Sequence, residues 1–261
     1  MTASNQFYEM IKKWTVMDYR TPGVKAEVII DMLISDHVCD IVGSSIGCDD
    51  LELVAKEFPI RACVEEKGAP GHYKLSSDNR PARIDYVLRS ATDKSLYFVE
   101  LKTDKKSYDD KQLLRMVYAA LMHNTSKENI FDTFGEFHEH TAEKTKYDHQ
   151  INHMPADIMQ EASEYNIEIV YLTLTGVKNQ KGKPLYLSDK AGRRLEFVRV
   201  IDEDDLIPED LLWEGKDADV KIRSVRLTDF EYTDKNRTSD KARNWEYVKE
   251  ILTACITTGD N

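Results

Sequence analysis

No two cysteines of this chain form a C-x-x-C pair: Cys39, Cys48, Cys63 and Cys255 are scattered over 261 residues. That spacing suits neither a zinc ribbon nor a disulfide framework, so free thiols in a reducing compartment are expected. Apolar residues never run for the ~20 positions that a membrane helix needs, so no membrane partner is expected. The opening MTASNQFYEMIKKW lacks the unbroken apolar core of a secretory signal, which points to the cytoplasm. Positive charge is short as well: 36 Lys and Arg stand against 47 Asp and Glu, a net charge of −11. Proteins that coat nucleic acid non-specifically carry the opposite balance. A local phosphate site stays open, and the basic groupings Arg80/Arg83/Arg89, Lys102/Lys105/Lys106, Lys178/Lys181/Lys183 and Arg193/Arg194 read first as solvated surface. Apolar content of 41% is ordinary for a globular protein with a substantial core. There is no internal repeat and no low-complexity tract.

The most informative segment is 83–102, RIDYVLRSATDKSLYFVELK. Two runs rich in β-branched and aromatic residues flank the turn-prone Ser90-Ala91-Thr92-Asp93-Lys94-Ser95, which predicts a β-hairpin. With the turn centred on Thr92-Asp93, paired residue numbers sum to 185 and Asp85 lies opposite Glu100. Side chains alternate along a strand, so Asp85, Glu100 and Lys102 share one face. Tyr86, Leu88, Tyr97, Val99 and Leu101 then point the other way, into an apolar layer. Two carboxylates facing each other across strands repel. A divalent cation removes that conflict, because Mg²⁺ is held by hard oxygens, commonly one or two carboxylates with water and phosphate. A lysine two residues beyond the second acid reaches the same site and can orient a water or neutralise a phosphoryl group. The chemistry implied is metal-assisted hydrolysis of a phosphodiester.

Asp85 followed on the next strand by Glu100-Leu101-Lys102 resembles the active-site signature of the PD-(D/E)XK nuclease superfamily. The resemblance implies an α/β fold with a central mixed sheet flanked by helices, a restriction-endonuclease-like core. It implies a site in which Asp85, Glu100 and the Leu101 backbone carbonyl ligate Mg²⁺ or Mn²⁺, joined by Glu27 from the helix in VKAEVIIDMLI. Asp31, one turn later, is the second candidate for that helical acid. Lys102 would position the attacking water. Gln112, in YDDKQLLRMVYAALM, matches the polar residue that the following helix sends into such sites. Pro81 is not adjacent to Asp85, and Met116 stands where exonuclease relatives carry a tyrosine. The cluster-binding relatives have one early and three late cysteines; this chain has the reverse. The implied partner is nucleic acid, DNA before RNA, and the resemblance also allows a homodimer. Two rival readings stand beside the nuclease: a nuclease-like fold that binds nucleic acid or protein without turnover, and an ordinary solvated sheet face with a cross-strand Glu–Lys contact.

Along the chain, apolar spacing predicts helices over 5–14, 24–37, 49–58, 108–122 and 245–256, the third capped by Asp49 or Asp50. Strands are predicted over 60–65, 167–175 and 195–201, with 167–175 apolar enough to be buried on both faces. Residues 67–81, with two glycines and two prolines, read as a loop bordering the site. Residues 176–183 read as a basic loop and 202–210 as a solvated acidic stretch. Residues 124–166 form a charged, helix-leaning insertion anchored by Ile130, Phe131, Phe134 and Phe137, within one domain spanning 1–261. Its His149 and His153 stand four apart, but no third zinc ligand has matching spacing, so they read as exposed.

Overall fold

The computed structural model of the chain describes residues 3–20, 27–70, 72–75, 81–103, 110–126, 129–142, 144–174, 185–188, 194–198, 210–215, 219–233 and 239–257. In chain order these form α1 (Ala3–Arg20), α2 (Glu27–Ile34), α3 (Val38–Ile46), β1 (Glu52–Ile60), β2 (Cys63–Glu65), β3 (His72–Leu75), β4 (Ala82–Ser90), β5 (Ser95–Lys102), α4 (Asp110–Ser126), α5 (Ile130–His140), α6 (Lys144–His153) and the single-turn α7 (Ile158–Glu161). They continue with β6 (Asn166–Thr173), β7 (Leu185–Ser188), β8 (Arg194–Val198), β9 (Asp210–Gly215), β10 (Asp219–Arg226) and α8 (Asp240–Thr257).

The hairpin forms in the register that its turn predicts. β4 and β5 pair antiparallel from Tyr86 opposite Val99 to Ser90 opposite Ser95, each pair summing to 185. Lys94 closes the turn with a left-handed φ of +49°. The Asp50 carboxylate braces it from outside, accepting from the Ser90 hydroxyl at 2.7 Å and the Thr92 N–H at 2.9 Å. β1 adds antiparallel to β4, while β6 runs parallel to β5 and β10 parallel to β6. These five strands make a mixed sheet, and the strand order continues through β9, β8, β7, β3 and β2.

Both faces of the sheet are apolar, so helices cover both. Tyr86, Leu88, Tyr97, Val99, Leu101, Val170 and Leu172 pack with Ile30 and Ile34 of α2, Ile41 of α3, and Trp245 and Leu252 of α8. On the opposite face Val87, Leu96, Phe98, Ile169 and Tyr171 meet Leu113, Leu114 and Val117 of α4 and Phe131 and Phe134 of α5. Burying a side chain of this size contributes about 1.5–3 kcal/mol. The near-continuous apolar run of β6 is thereby explained: its odd residues serve one layer and its even residues the other. The chain is an α/β protein with a mixed sheet between helical layers.

Several expectations are corrected. Residues 49–58 are not a helix; β1 occupies 52–60, and the expected strand over 60–65 is divided, its last residues forming β2. β1 misleads because Val54, Ala55 and Phe58 are buried while Lys56 is half-buried and Glu57 exposed. A register shift between Leu53 and Ala55 and a left-handed φ of +52° at Glu57 reset the alternation. The resulting i, i+1, i+4 spacing imitates a helix. Asp50 accordingly braces a turn instead of capping a helix. The predicted 67–81 loop contains β3, and residues 210–226, for which no strand was expected, supply β9 and β10. β10 lies centrally beside β6, although Lys221 and Arg223 interrupt its apolar residues. The expected helix over 24–37 is shorter within the described residues, ending at Ile34 before α3 begins at Val38. The 176–183 loop, the acids of 202–209 and the basic residues Arg80, Lys105, Lys106, Lys178, Lys181, Lys183 and Arg193 lie outside the described residues. Arg89 is no surface cation: it is buried, held by Glu52 and by Asp157 at 2.9 Å.

Candidate active site

The hairpin places Asp85 near the start of β4 and Glu100 and Lys102 near the end of β5, so all three lie toward the same end of the sheet. The Asp85 Oδ2 atom accepts from the Leu101 backbone N–H at 2.7 Å. On an extended strand the N–H and C=O of one residue point the same way, so the Leu101 carbonyl also faces the Asp85 side. The Lys102 ammonium donates to Glu100 Oε1 at 2.8 Å and to Gln112 Oε1 at 2.6 Å. Gln112 closes the triangle by donating from Nε2 to Glu100 Oε1. The amide arrives because α4 lays Leu113, Leu114 and Val117 on the sheet, which turns the preceding residue toward the end of β5. Glu100 and Lys102 are only 2% and 6% exposed, whereas Asp85, Gln112 and Glu27 are half-buried and form the side open to solvent.

Burial pushes the Asp85 carboxyl up to about 8, and the neighbouring Glu100 charge adds to the rise, against the pull of the Leu101 N–H and Lys102. Glu100 is likewise raised by burial, with Lys102 and Gln112 opposing. Glu27 lies near enough to raise both carboxyls. Its rival Asp31 is otherwise engaged: Tyr86 donates its hydroxyl to Asp31, and Lys56 reaches it at 3.0 Å while resting 4.8 Å above the Tyr86 ring. Of the two acids on α2, Glu27 is therefore the one that bears on the pair.

Among the described residues, the site holds a polar atom that the protein leaves unsatisfied. Glu100 Oε2 is buried and has no hydrogen-bond partner, although Oε1 of the same carboxylate has two. An orphaned, buried carboxylate oxygen is costly. Beside a second raised carboxyl and an inward-facing carbonyl, it is the donor set that a hard cation takes. Among the described residues no three His, Cys, Asp or Glu side chains gather closely enough to hold a metal alone. A cation at this site would accordingly rest on two carboxylates plus backbone and water oxygens. The His149 and His153 rings lie 4.1 Å apart and tilted by 54° to each other, and His153 Nδ1 bonds the His149 carbonyl at 2.7 Å, as exposed residues of α6.

Sequence reasoning placed Asp85, Glu100, Lys102 and Gln112, and the structure brings those four together. It missed the Asp31–Tyr86–Lys56 contact beside Glu27 and the distorted backbone at Glu57, which lies between the Lys56–Tyr86 and Phe58–Ile84 pairs and so across from Asp85. No residue type signals either one, because both depend on β1 being a strand.

No family model matches the chain, and no curated protein or solved structure matches it either.

Proposed function

We propose that this α/β chain is a divalent-metal-dependent nuclease of the PD-(D/E)XK type, with a restriction-endonuclease-like core, that hydrolyses phosphodiester bonds in nucleic acid, DNA before RNA. The observation that carries the reading is the Asp85–Glu100–Lys102–Gln112 group, buried at Glu100 and Lys102 and open at Asp85 and Gln112, with its unsatisfied Glu100 oxygen. Asp85 and Glu100 would hold Mg²⁺ or Mn²⁺, with the Leu101 carbonyl and water as further oxygen donors, while Glu27, expected from the sequence as a ligand, acts on the pair through its charge. Such a cation supplies a lowered water pKa and offsets charge developing at phosphorus.

The chain's own residues do the remainder. Lys102 Nζ, fixed between Glu100 and Gln112, orients the attacking water and offers a cationic donor to a phosphoryl oxygen. Gln112 spans Glu100 and Lys102 and keeps both in one geometry, so neither has to reorganise as substrate arrives. Asp85, on the open side, carries its proton through much of the neutral range and ionises when positive charge enters.

The test is incubation of purified protein with linear, circular and single-stranded DNA and with RNA, each in Mg²⁺ and in Mn²⁺, beside an Asp85→Ala control. Metal-dependent cleavage absent from the control supports the reading; no cleavage of any substrate sinks it. A second reading, a nuclease-like fold that binds without turnover, is favoured by the burial of Glu100 and Lys102 against one another. Under it, Asp85→Ala and Lys102→Ala keep their affinity for nucleic acid and there is no cleavage to lose.

A further inference from the structure

The end of β1 beside the site departs from regular strand geometry. The β1–β4 register passes from Lys56–Tyr86 to Phe58–Ile84, leaving Glu57 across from Asp85. Glu57 has a left-handed φ of +52°, which a residue with a Cβ adopts at a cost. Among the described residues its exposed side chain meets Arg83 at 3.6 Å, an exposed ion pair of small worth. The compensation comes from the helical insertion: Gln150 of α6 donates from Nε2 to the Lys56 carbonyl at 2.8 Å and to the Glu57 carbonyl at 3.2 Å. In a regular strand successive carbonyls point to opposite sides, and one amide cannot take both. The left-handed residue turns them to the same side, so the distortion and the double hydrogen bond are one feature. β1 is at one end of the strand order, and Gln150 reaches carbonyls along that end.

We infer that Gln150 is a positioning residue for the site, holding the β1 distortion that sets where Asp85 lies on β4. The inference rests on the nuclease reading above. It gives the 124–166 insertion a catalytic duty beyond its apolar packing: it fixes, from outside the site, the backbone facing one of the two carboxylates.

The experiment compares the wild type, Gln150→Ala, Glu57→Gly and the double variant. Glycine takes φ of +52° without penalty, so Glu57→Gly should remove the need for the amide. Gln150→Ala is expected to lower kcat about tenfold with KM for DNA nearly unchanged, and to weaken Mn²⁺ binding by calorimetry several-fold. In the double variant both should return toward wild type. Amide hydrogen exchange over 56–58 and 85–87 is read in parallel, rising in Gln150→Ala and falling again in the double variant. Unchanged exchange and Mn²⁺ affinity in Gln150→Ala overturn the inference, as does a double variant no better than Gln150→Ala. A wild type that neither binds Mn²⁺ nor cleaves, with exchange responding as described, overturns the reading of the site and leaves the hold of Gln150 on β1 upheld.

Discussion

Asp85 and Glu100 are an arrangement that the folded chain tolerates at a cost. Each is raised above the ordinary carboxyl range, first by burial, and Glu100 raises Asp85 further. Replacing Asp85 with Asn keeps the acceptor for the Leu101 N–H and removes the cost of either ionising a buried acid beside Glu100 or protonating it to avoid that charge. Asp85→Asn is therefore expected to stabilise the metal-free protein by about 1–2 kcal/mol in urea unfolding and, on the proposed nuclease reading, to abolish cleavage. A variant less stable than wild type would contradict the stated cause of the Asp85 shift. The pH dependence follows with its sign. An acid raised from 3.8 to about 8 on folding is more protonated in the folded state between those values. The Asp85 contribution to the stability of the metal-free protein accordingly falls as pH rises from about 4 through 8, read as the difference between wild type and Asp85→Asn. On the proposed nuclease reading, Mn²⁺ affinity is expected to run the other way, climbing as pH rises through the same range because the proton must leave before the cation enters. Calorimetry at several pH values, in buffers of different ionisation heat, reads both the slope and the released proton.

At the scale of elements, the hairpin was legible because turn composition fixes register, and register fixes which side chains share a face. One slipped residue would have sent Asp85 and Glu100 to opposite sides. Helices α4, α5 and α8 were legible for a related reason: Leu113, Leu114 and Val117, then Phe131, Phe134 and Phe137, then Trp245, Val248, Ile251 and Leu252 are buried at helical spacing. β1 was not legible, since two backbone irregularities gave it a helix-like pattern. Its pairing with the insertion can be weighed directly. Phe134 is fully buried and stacks on Phe58 of β1 with ring centroids 5.5 Å apart. Phe134→Ala is expected to cost about 3–5 kcal/mol, measured by denaturant unfolding. A loss below about 1 kcal/mol would mean that the insertion packs only loosely on the sheet.

For the molecule as a whole, the arrangement of the sheet matters more than any single strand. β1 and β2 are separated in sequence only by Arg61 and Ala62, yet they stand at opposite ends of the strand order. Two residues span roughly 7–10 Å, so the sheet must bend until its ends approach. α4 lies inside that bend, touching β1, β2, β4, β6 and β10. The insertion completes the same layer, because Phe131, Phe134, Phe137 and Tyr147 belong to the core that includes Phe58, Val87 and Phe98. Excision of residues 127–160 with a short glycine–serine bridge is therefore expected to give a chain without a cooperative thermal transition, followed by circular dichroism. A shortened chain that melts cooperatively would show the insertion to be an accessory. No helix of the described residues is long and apolar enough to cross a membrane.

What the sequence determined by itself was local: the hairpin register, the three groups Asp85, Glu100 and Lys102 on one face, and the amphipathic stripes of the longer helices. Those follow from periods of 2 and 3.6 residues, which are written in the order of side chains. Tertiary structure alone decided that Glu27 and not Asp31 bears on the pair, that Glu100 keeps an unsatisfied oxygen, and that Gln150, 65 residues beyond Asp85 in the chain, reaches the backbone facing it. Each of these depends on which elements become neighbours and on where a strand departs from its pleat. Those outcomes are set by packing across the whole chain and leave no periodic mark in the sequence.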